Sequence, residues 1–365
     1  MSLFHIDAGR AWDGTERQAF ELAREIRKRG FASRFVVQPE SPLHKKAAAE
    51  GLPVMPLNMP GGRSFWSSLR LASAMRREHC VLAHFHDAPG LAVGAPAASR
   101  AKVPVRILSR QTDPAARSGA VSMKGIDAVI VGSAGVKNVL VRGGLPEQSV
   151  EVIPPGLDFS PYEGLKARDY LRQEFSFATD DFLVGVVAGL EDPRSCHEVA
   201  SAARIISEHA PKSRVIILGE GALRLEPDKT GHGLPGHHVF YYLGFRDRLP
   251  QVLSSLDAFV TTLPLIGFGE GLLDAMASRV AVVAVQAGGV ADVLTHRETG
   301  LLVPPGHPRS LADAVLKLYL DRSLAARLAQ RGQEAVREKY SVEAMARRIV
   351  AFYDRLASRK GVKLG

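Results

Sequence analysis

Apolar residues along the chain gather into short unbroken runs, separated by stretches in which they recur every three or four positions. The runs predict strands over Leu3–Ile6, Arg34–Gln38, Val81–Phe85, Val105–Leu108 and Asp127–Val131 in the first half. In the second half they predict Phe182–Val187, Arg214–Leu218, Val239–Tyr242, Ala258–Thr261, Val280–Val285 and Leu301–Val303. Most are apolar throughout and do not alternate, as expected of parallel strands covered on both faces. The intervening stretches are amphipathic. Ala19, Leu22, Ala23 and Ile26 fall on one helical face, with Arg17, Arg24, Arg27 and Lys28 on the other. The repeated strand–helix alternation predicts an α/β protein with two doubly wound parallel sheets.

A double proline followed by glycine, in Ile153-Pro-Pro-Gly-Leu-Asp158, ends a strand and cannot continue as a helix. It marks the expected boundary between a domain over residues 1–160 and a second over 161–340. The tail, Ser341 to Ser358, predicts a helix: Ser341 caps it, and Met345, Ile349, Phe352 and Leu356 form its apolar stripe.

Composition narrows the function classes. The chain of 365 residues is 46% hydrophobic and 23% charged, enough for two full cores. No run approaches the ~18 apolar residues of a membrane span, and the first residues do not read as a secretory signal. Two cysteines, Cys80 and Cys196, exclude a disulfide framework or a CxxC metal knuckle. The 12 histidines are scattered and show no HExxH or similar ligand spacing. The net charge of +9, most of it before Leu165, favours anionic partners such as phosphorylated substrates. No basic tail or aromatic–basic interleaving points to nucleic acid.

The stretch Thr261-Thr-Leu-Pro-Leu-Ile-Gly-Phe-Gly-Glu-Gly-Leu-Leu-Asp-Ala-Met-Ala277 carries the clearest chemistry. A strand runs into the glycine-rich turn Gly267–Gly271 and then into a helix. Glycines there let the backbone approach a ligand, and the first amides of the helix, with its dipole, suit a phosphate. The same turn also serves a tight strand-to-helix connection that needs glycine only for geometry. Similar turns, Gly219-Glu-Gly221 and Ala287-Gly-Gly289, follow other strands and fall along one edge of the predicted sheet, where open α/β sheets bind ligands. None matches GxGxxG or GxxxxGK[ST], which argues against a nicotinamide dehydrogenase and a P-loop NTPase.

In this order the motifs resemble the retaining glycosyltransferases of family 4, with the GT-B architecture, over nearly the whole chain. Trp12-Asp-Gly-Thr-Glu-Arg-Gln18 is similar to the family's Gly-Gly-x-Glu loop, and Ala83-His-Phe-His-Asp87 to its acceptor-side strand end. Val131-Gly-Ser133, the Pro-Pro-Gly segment, Leu218-Gly-Glu-Gly221, Leu243-Gly-Phe245 and Thr299-Gly-Leu-Leu-Val303 continue the succession. The resemblance implies two Rossmann-like domains facing a cleft. The first binds the acceptor and receives the C-terminal helix, 341–365; the second binds the nucleotide sugar.

It also implies site residues. His86 and Asp87 take catalytic positions beside the acceptor. Gly14, Thr15, Arg194, Gly219, Glu220, Gly267, Phe268, Gly269, Glu270, Gly271 and Asp274 take donor-binding positions, and Arg110 is an acceptor-side contact. His84 ends the same strand as His86, where a packed histidine is the alternative reading. Two positions depart from the family: Ile266 replaces its first donor glutamate, and Gly189 the arginine that neutralises the diphosphate. The expected function is transfer of a sugar, with retention and without metal or cofactor, from a nucleotide sugar to a glycan or lipid-linked acceptor, as in lipopolysaccharide synthesis. The alternative is a catalytically impaired relative that binds a nucleotide sugar, phosphosugar or partner protein. The cytoplasm is the expected location. The basic, amphipathic Arg63–Arg77, with Phe65 and Trp66, suits either peripheral attachment to an anionic membrane or an ordinary covering helix.

Overall fold

The apolar runs pair into two parallel sheets in a computed structural model that describes all of the chain except residues 60–63, 111–122, 166–167, 188–192, 219–239, 245–247, 263–269, 288 and 365. The chain divides into one unit of Met1–Asp158 with Tyr340–Gly365, and another of Phe159–Lys339.

In the first unit, strands β1 (Ser2–Asp7), β2 (Ser33–Val37), β3 (Val54–Pro56), β4 (Cys80–Phe85), β5 (Val105–Arg110), β6 (Ala128–Val131) and β7 (Val150–Val152) alternate with helices α1 (Gly14–Lys28), α2 (Pro42–Ala49), α3 (Phe65–Arg77), α4 (Ala88–Arg100) and α5 (Ala134–Arg142). The strand order is β3-β2-β1-β4-β5-β6-β7, and every pairing is parallel. The order reverses between β1 and β4, so the loops leaving these two strands diverge to opposite faces. Such a reversal opens a crevice at the carboxyl ends of the strands. Strands β3 and β7, which the apolar runs did not reveal, are three residues long and sit at the sheet edges.

The second unit repeats the plan. Strands β8 (Phe182–Val187), β9 (Ser213–Leu218), β10 (Phe240–Gly244), β11 (Ala258–Thr261), β12 (Ala281–Val285) and β13 (Leu301–Val303) form a sheet of order β10-β9-β8-β11-β12-β13. Its helices are α6 (Tyr170–Phe175), α7 (Pro193–His209), α8 (Leu249–Ser254), α9 (Glu270–Ala277), α10 (Val290–Val293), α11 (Pro308–Leu320) and α12 (Arg322–Lys339). Here the reversal lies between β8 and β11. The core combines Val184, Val186, Val260 and Val283 with Ala203 and Ile206 of α7 and Leu311 and Val315 of α11.

The last helix, α13 (Val342–Arg359), belongs to the first unit. Its N-cap, Ser341, accepts from the amide of Ala344 at 3.1 Å. Met345, Ile349 and Phe352 pack with Leu3, Leu22, Leu82 and Ile107, each contributing roughly 1.5–3 kcal/mol on burial. The Pro-Pro-Gly segment is pinned beneath it. Leu157 donates to the carbonyl of Tyr340 at 2.7 Å, and Gly156 exchanges bonds of 2.8 and 2.9 Å with the carboxamide of Gln18. A Cβ on Gly156 would lie 2.6 Å from Cα of Val342, which explains the glycine.

Candidate functional site

The crevice at the ends of β1 and β4 is built by an unusual number of buried polar residues. Strand β1 ends in Asp7, and its loop returns through Ala8 and Gly9 to Asp13, the N-cap of α1. The cap is reciprocal: Asp13 accepts from the amide of Thr15 at 2.8 Å, and Glu16 accepts from the amide of Asp13 at 3.3 Å. Glu16 is buried under the loop. A Cβ at Gly9 would fall 1.7 Å from its Oε1, so a larger residue there would displace the Glu16 carboxyl.

On the other side, Asp87 caps α4. Its Oδ1 accepts from the amides of Gly90 at 3.0 Å and Ala8 at 3.1 Å, tying the β1 loop to the start of α4. The pattern Asp-Ala-Pro-Gly, an acid just before a first-turn proline, is the local signal for this cap.

Three carboxyls here are hard to ionise. Burial, followed by the charge of Asp87, raises Asp7 to about 7. Burial and the neighbouring Asp13 raise Glu16 to about 8. Burial raises Asp87 too, against the pull of the Ala8 and Gly90 amides. Asp7 keeps one partner, the amide of Gly9 at 2.8 Å, while its Oδ2 is buried without one.

Beneath the carboxyls lie three buried histidines, because His5 of β1 pairs in register with His84 of β4 and His86 follows two positions on. Burial lowers His5 to about 4 and holds His84 and His86 well below the ordinary imidazole range, so all three are neutral at physiological pH. Nδ1 of His5 lies 3.1 Å from Nε2 of His86. His84 is engaged at both nitrogens, with the Tyr353 hydroxyl at 2.5 Å and Oγ of Ser109 at 2.8 Å. One nitrogen from each ring falls within 4.8 Å of the others, a spacing that suits a cation. The hydrogen bonds nevertheless occupy both His84 nitrogens and pair His5 with His86, so the rings are arranged by shared protons. His86 and Ser109 line a cavity of about 20 Å³, together with Thr15 and Gln18.

Of the expected site residues, the structure brings His86 and Asp87, expected beside the acceptor, to one crevice of the first unit with Gly14 and Thr15, expected to bind the donor. It also shows the Thr15 amide occupied by Asp13 rather than free for a phosphate. Arg110 is the last residue of β5, paired with Val131. His5, Asp7, Ser109 and Tyr353 were not anticipated. The sequence signal for the first two is a polar residue at alternate positions of an otherwise apolar strand.

In the second unit, the segments that follow β8 and β11 leave from the reversal point. Gly219, Glu220, Gly267, Phe268 and Gly269, with Gly189 and Ile266, lie outside the described residues. Arg194 sits in the first turn of α7 and Glu270 opens α9, but their side chains are likewise outside the description; Gly271 is in the first turn of α9. Asp274 is 1% exposed, and its carboxylate accepts from the hydroxyl of Tyr162. Any diol at Asp274 shares that carboxylate with Tyr162.

Two family models cover most of the chain: Glycosyltransferase Family 4 over residues 12–160 and Glycosyl transferases group 1 over residues 167–335. The chain is 23% identical over 266 residues to an N-acetyl-alpha-D-glucosaminyl L-malate synthase of Bacillus anthracis, covering 67% of this chain and 69% of that protein. It is 27% identical over 217 residues to a GDP-mannose-dependent alpha-(1-6)-phosphatidylinositol monomannoside mannosyltransferase of Mycobacterium tuberculosis, covering 57% of this chain and 56% of that one. The chain thus spans little more than half the length of some of these relatives. HepE of Anabaena, solved in complex with UDP, superposes with a TM-score of 0.81 at 20% identity, covering 97% of this chain and 100% of HepE. With both units carrying the doubly wound sheets of that architecture, the chain belongs to the family 4 glycosyltransferases and has the GT-B fold.

Proposed function

We propose that the protein transfers a sugar, with retention, from a nucleotide diphosphate sugar bound by the second unit to a hydroxyl-bearing acceptor bound by the first. The observation that carries this reading is the strand reversal between β8 and β11. It is the point where an open α/β sheet binds ligands, and both segments with donor-site character leave from it: the one ending in Arg194 and the glycine-rich one opening α9. Amides at the start of α9, the helix dipole and the Arg194 guanidinium stabilise the leaving diphosphate without a metal. The departing phosphate takes the acceptor proton, so no separate strong base is required. His86, neutral and buried, orients the acceptor; Asp87 holds the loop and helix that shape its crevice. The relatives named for GDP-mannose-dependent transfer and the structures of HepE with UDP and UDP-glucose support a sugar nucleotide as donor.

The acceptor is a glycan or lipid-linked sugar of a cell-surface polysaccharide. Phe65 and Trp66, 57% and 79% exposed at the start of the basic helix α3, support peripheral attachment to an anionic membrane in the cytoplasm. Among the described residues no helix is long and apolar enough to cross one. A second reading, a binding protein with impaired catalysis, is favoured by Ile266 and Gly189 in place of polar donor contacts.

Thermal-shift screening against UDP-, GDP- and ADP-sugars, followed by assay of nucleotide release, separates these readings. Stabilisation with turnover supports the transferase and stabilisation alone the binder. No stabilisation by any of them counts against both.

A further inference from the structure

The hydrogen bonds around His84 have a direction, and it ends in the cavity. Tyr353, on α13, is fully buried and its hydroxyl has one proton to place. Its hydrogen-bond partner is Nδ1 of His84, at 2.5 Å. If the hydroxyl did not donate there, the core would hold a phenolic donor with no acceptor, at the full desolvation cost of that group. Nδ1 of His84 therefore accepts. A neutral imidazole carries a single N–H, so the proton of His84 is on Nε2, which faces Oγ of Ser109 at 2.8 Å. The serine oxygen accepts that bond and cannot also donate to His84. Its own proton is left for whatever enters the cavity that Ser109 lines with Thr15, Gln18 and His86. At about 20 Å³ this space takes one hydroxyl-sized group.

We propose that Ser109 contacts the acceptor substrate, donating a hydrogen bond to one of its oxygens, and that Tyr353 and His84 are positioning residues that aim it. The identity of the ligand rests on the transferase reading; the direction of the chain does not. Ser109 and Tyr353 are 244 positions apart in sequence, and α13 thereby does more than close the core: it sets the polarity of the crevice.

Selective ¹⁵N-histidine labelling of the full chain tests the direction without any substrate. The His84 ring, identified by its loss in His84→Gln, should show a protonated Nε2 and a bare Nδ1, and the preference should be lost in Tyr353→Phe. A protonated Nδ1 in the unaltered protein overturns the proposal. A kinetic cycle tests the contact, with UDP release from UDP-glucose in the presence of excess glucose as the acceptor probe, corrected for release without it. Ser109→Ala and Tyr353→Phe should each lower kcat about tenfold, and the double variant should be no slower than Ser109→Ala alone. Ser109→Thr, which keeps the hydroxyl, should stay within about threefold of the unaltered protein. Multiplicative losses in the double variant, or full activity in Ser109→Ala, overturn the proposed contact. If UDP-glucose is not turned over at all, the transferase reading loses that donor, while the histidine resonances still decide the direction.

Discussion

Asp7 and Asp87 lie at the carboxyl ends of neighbouring parallel strands, and the charge of Asp87 adds to burial in holding the Asp7 carboxyl protonated up to about pH 7. The folded protein thus keeps a proton that the unfolded chain, with an aspartate near 3.8, has released. This stabilisation is complete below about pH 4 and is lost as pH rises to 7. Across that window it amounts to about 2–4 kcal/mol. Asp7→Asn should therefore be more stable than the unaltered protein at pH 8 and depend less on pH. Glu16, raised to about 8, leaves a residual slope of the same sign. Denaturation midpoints at pH 5 and pH 8 check this, and identical slopes in the two proteins would contradict it.

Asp87 is a helix cap first. Asp87→Asn keeps an oxygen for the amides of Ala8 and Gly90, and should retain stability and most turnover. Asp87→Ala should lose about 1–2 kcal/mol of stability, together with activity. Turnover that collapses in Asp87→Asn while the fold is intact would instead make the carboxylate itself chemical.

The Tyr162 hydroxyl and the Asp274 carboxylate form a buried pair in the second unit. Tyr162→Phe should destabilise that unit by about 1–3 kcal/mol. If Asp274 also serves the donor, Asp274→Ala should weaken nucleotide binding as well as stability. Calorimetry of both variants, with UDP as ligand, separates packing from binding.

Gly156→Ala should displace α13, since the new Cβ would meet the backbone of Val342 at 2.6 Å and the amide face shared with Gln18. A loss of about 2 kcal/mol or more is expected, read as faster amide exchange in α13. Unchanged exchange would show that the segment yields freely.

The layered architecture was legible because long elements advertise themselves. The stripe Met345, Ile349, Phe352 and Leu356 with its Ser341 cap marks α13, and apolar runs such as Ala281–Val285 mark buried strands. Strands β3 and β7 were not, because Val54-Met-Pro56 ends in a proline and Val150-Glu-Val152 is broken by a glutamate, whereas the equally short edge strand β13 is apolar throughout. The crevice at the ends of β1 and β4 was half legible. His86 and Asp87 stand at a strand end that a motif identifies, but nothing local links His84 to Tyr353, whose partnership spans 269 positions. Likewise Thr15 sits at a helix start that suits a phosphate, yet its amide is taken by Asp13 two residues before it. Short-range pattern reports which face of an element is covered. It does not report which polar groups on that face satisfy one another.

The central claim is that the second unit binds a nucleotide diphosphate through the start of α9 and Arg194. Calorimetric titration of the full chain with UDP-, GDP- and ADP-sugars, repeated on Arg194→Ala, tests it most directly. The account predicts saturable binding of at least one of them, weakened about tenfold or more in the variant, the loss expected of a charge-assisted contact worth at least 1.4 kcal/mol. Binding of equal strength in Arg194→Ala, or no heat with any of the three, would contradict it.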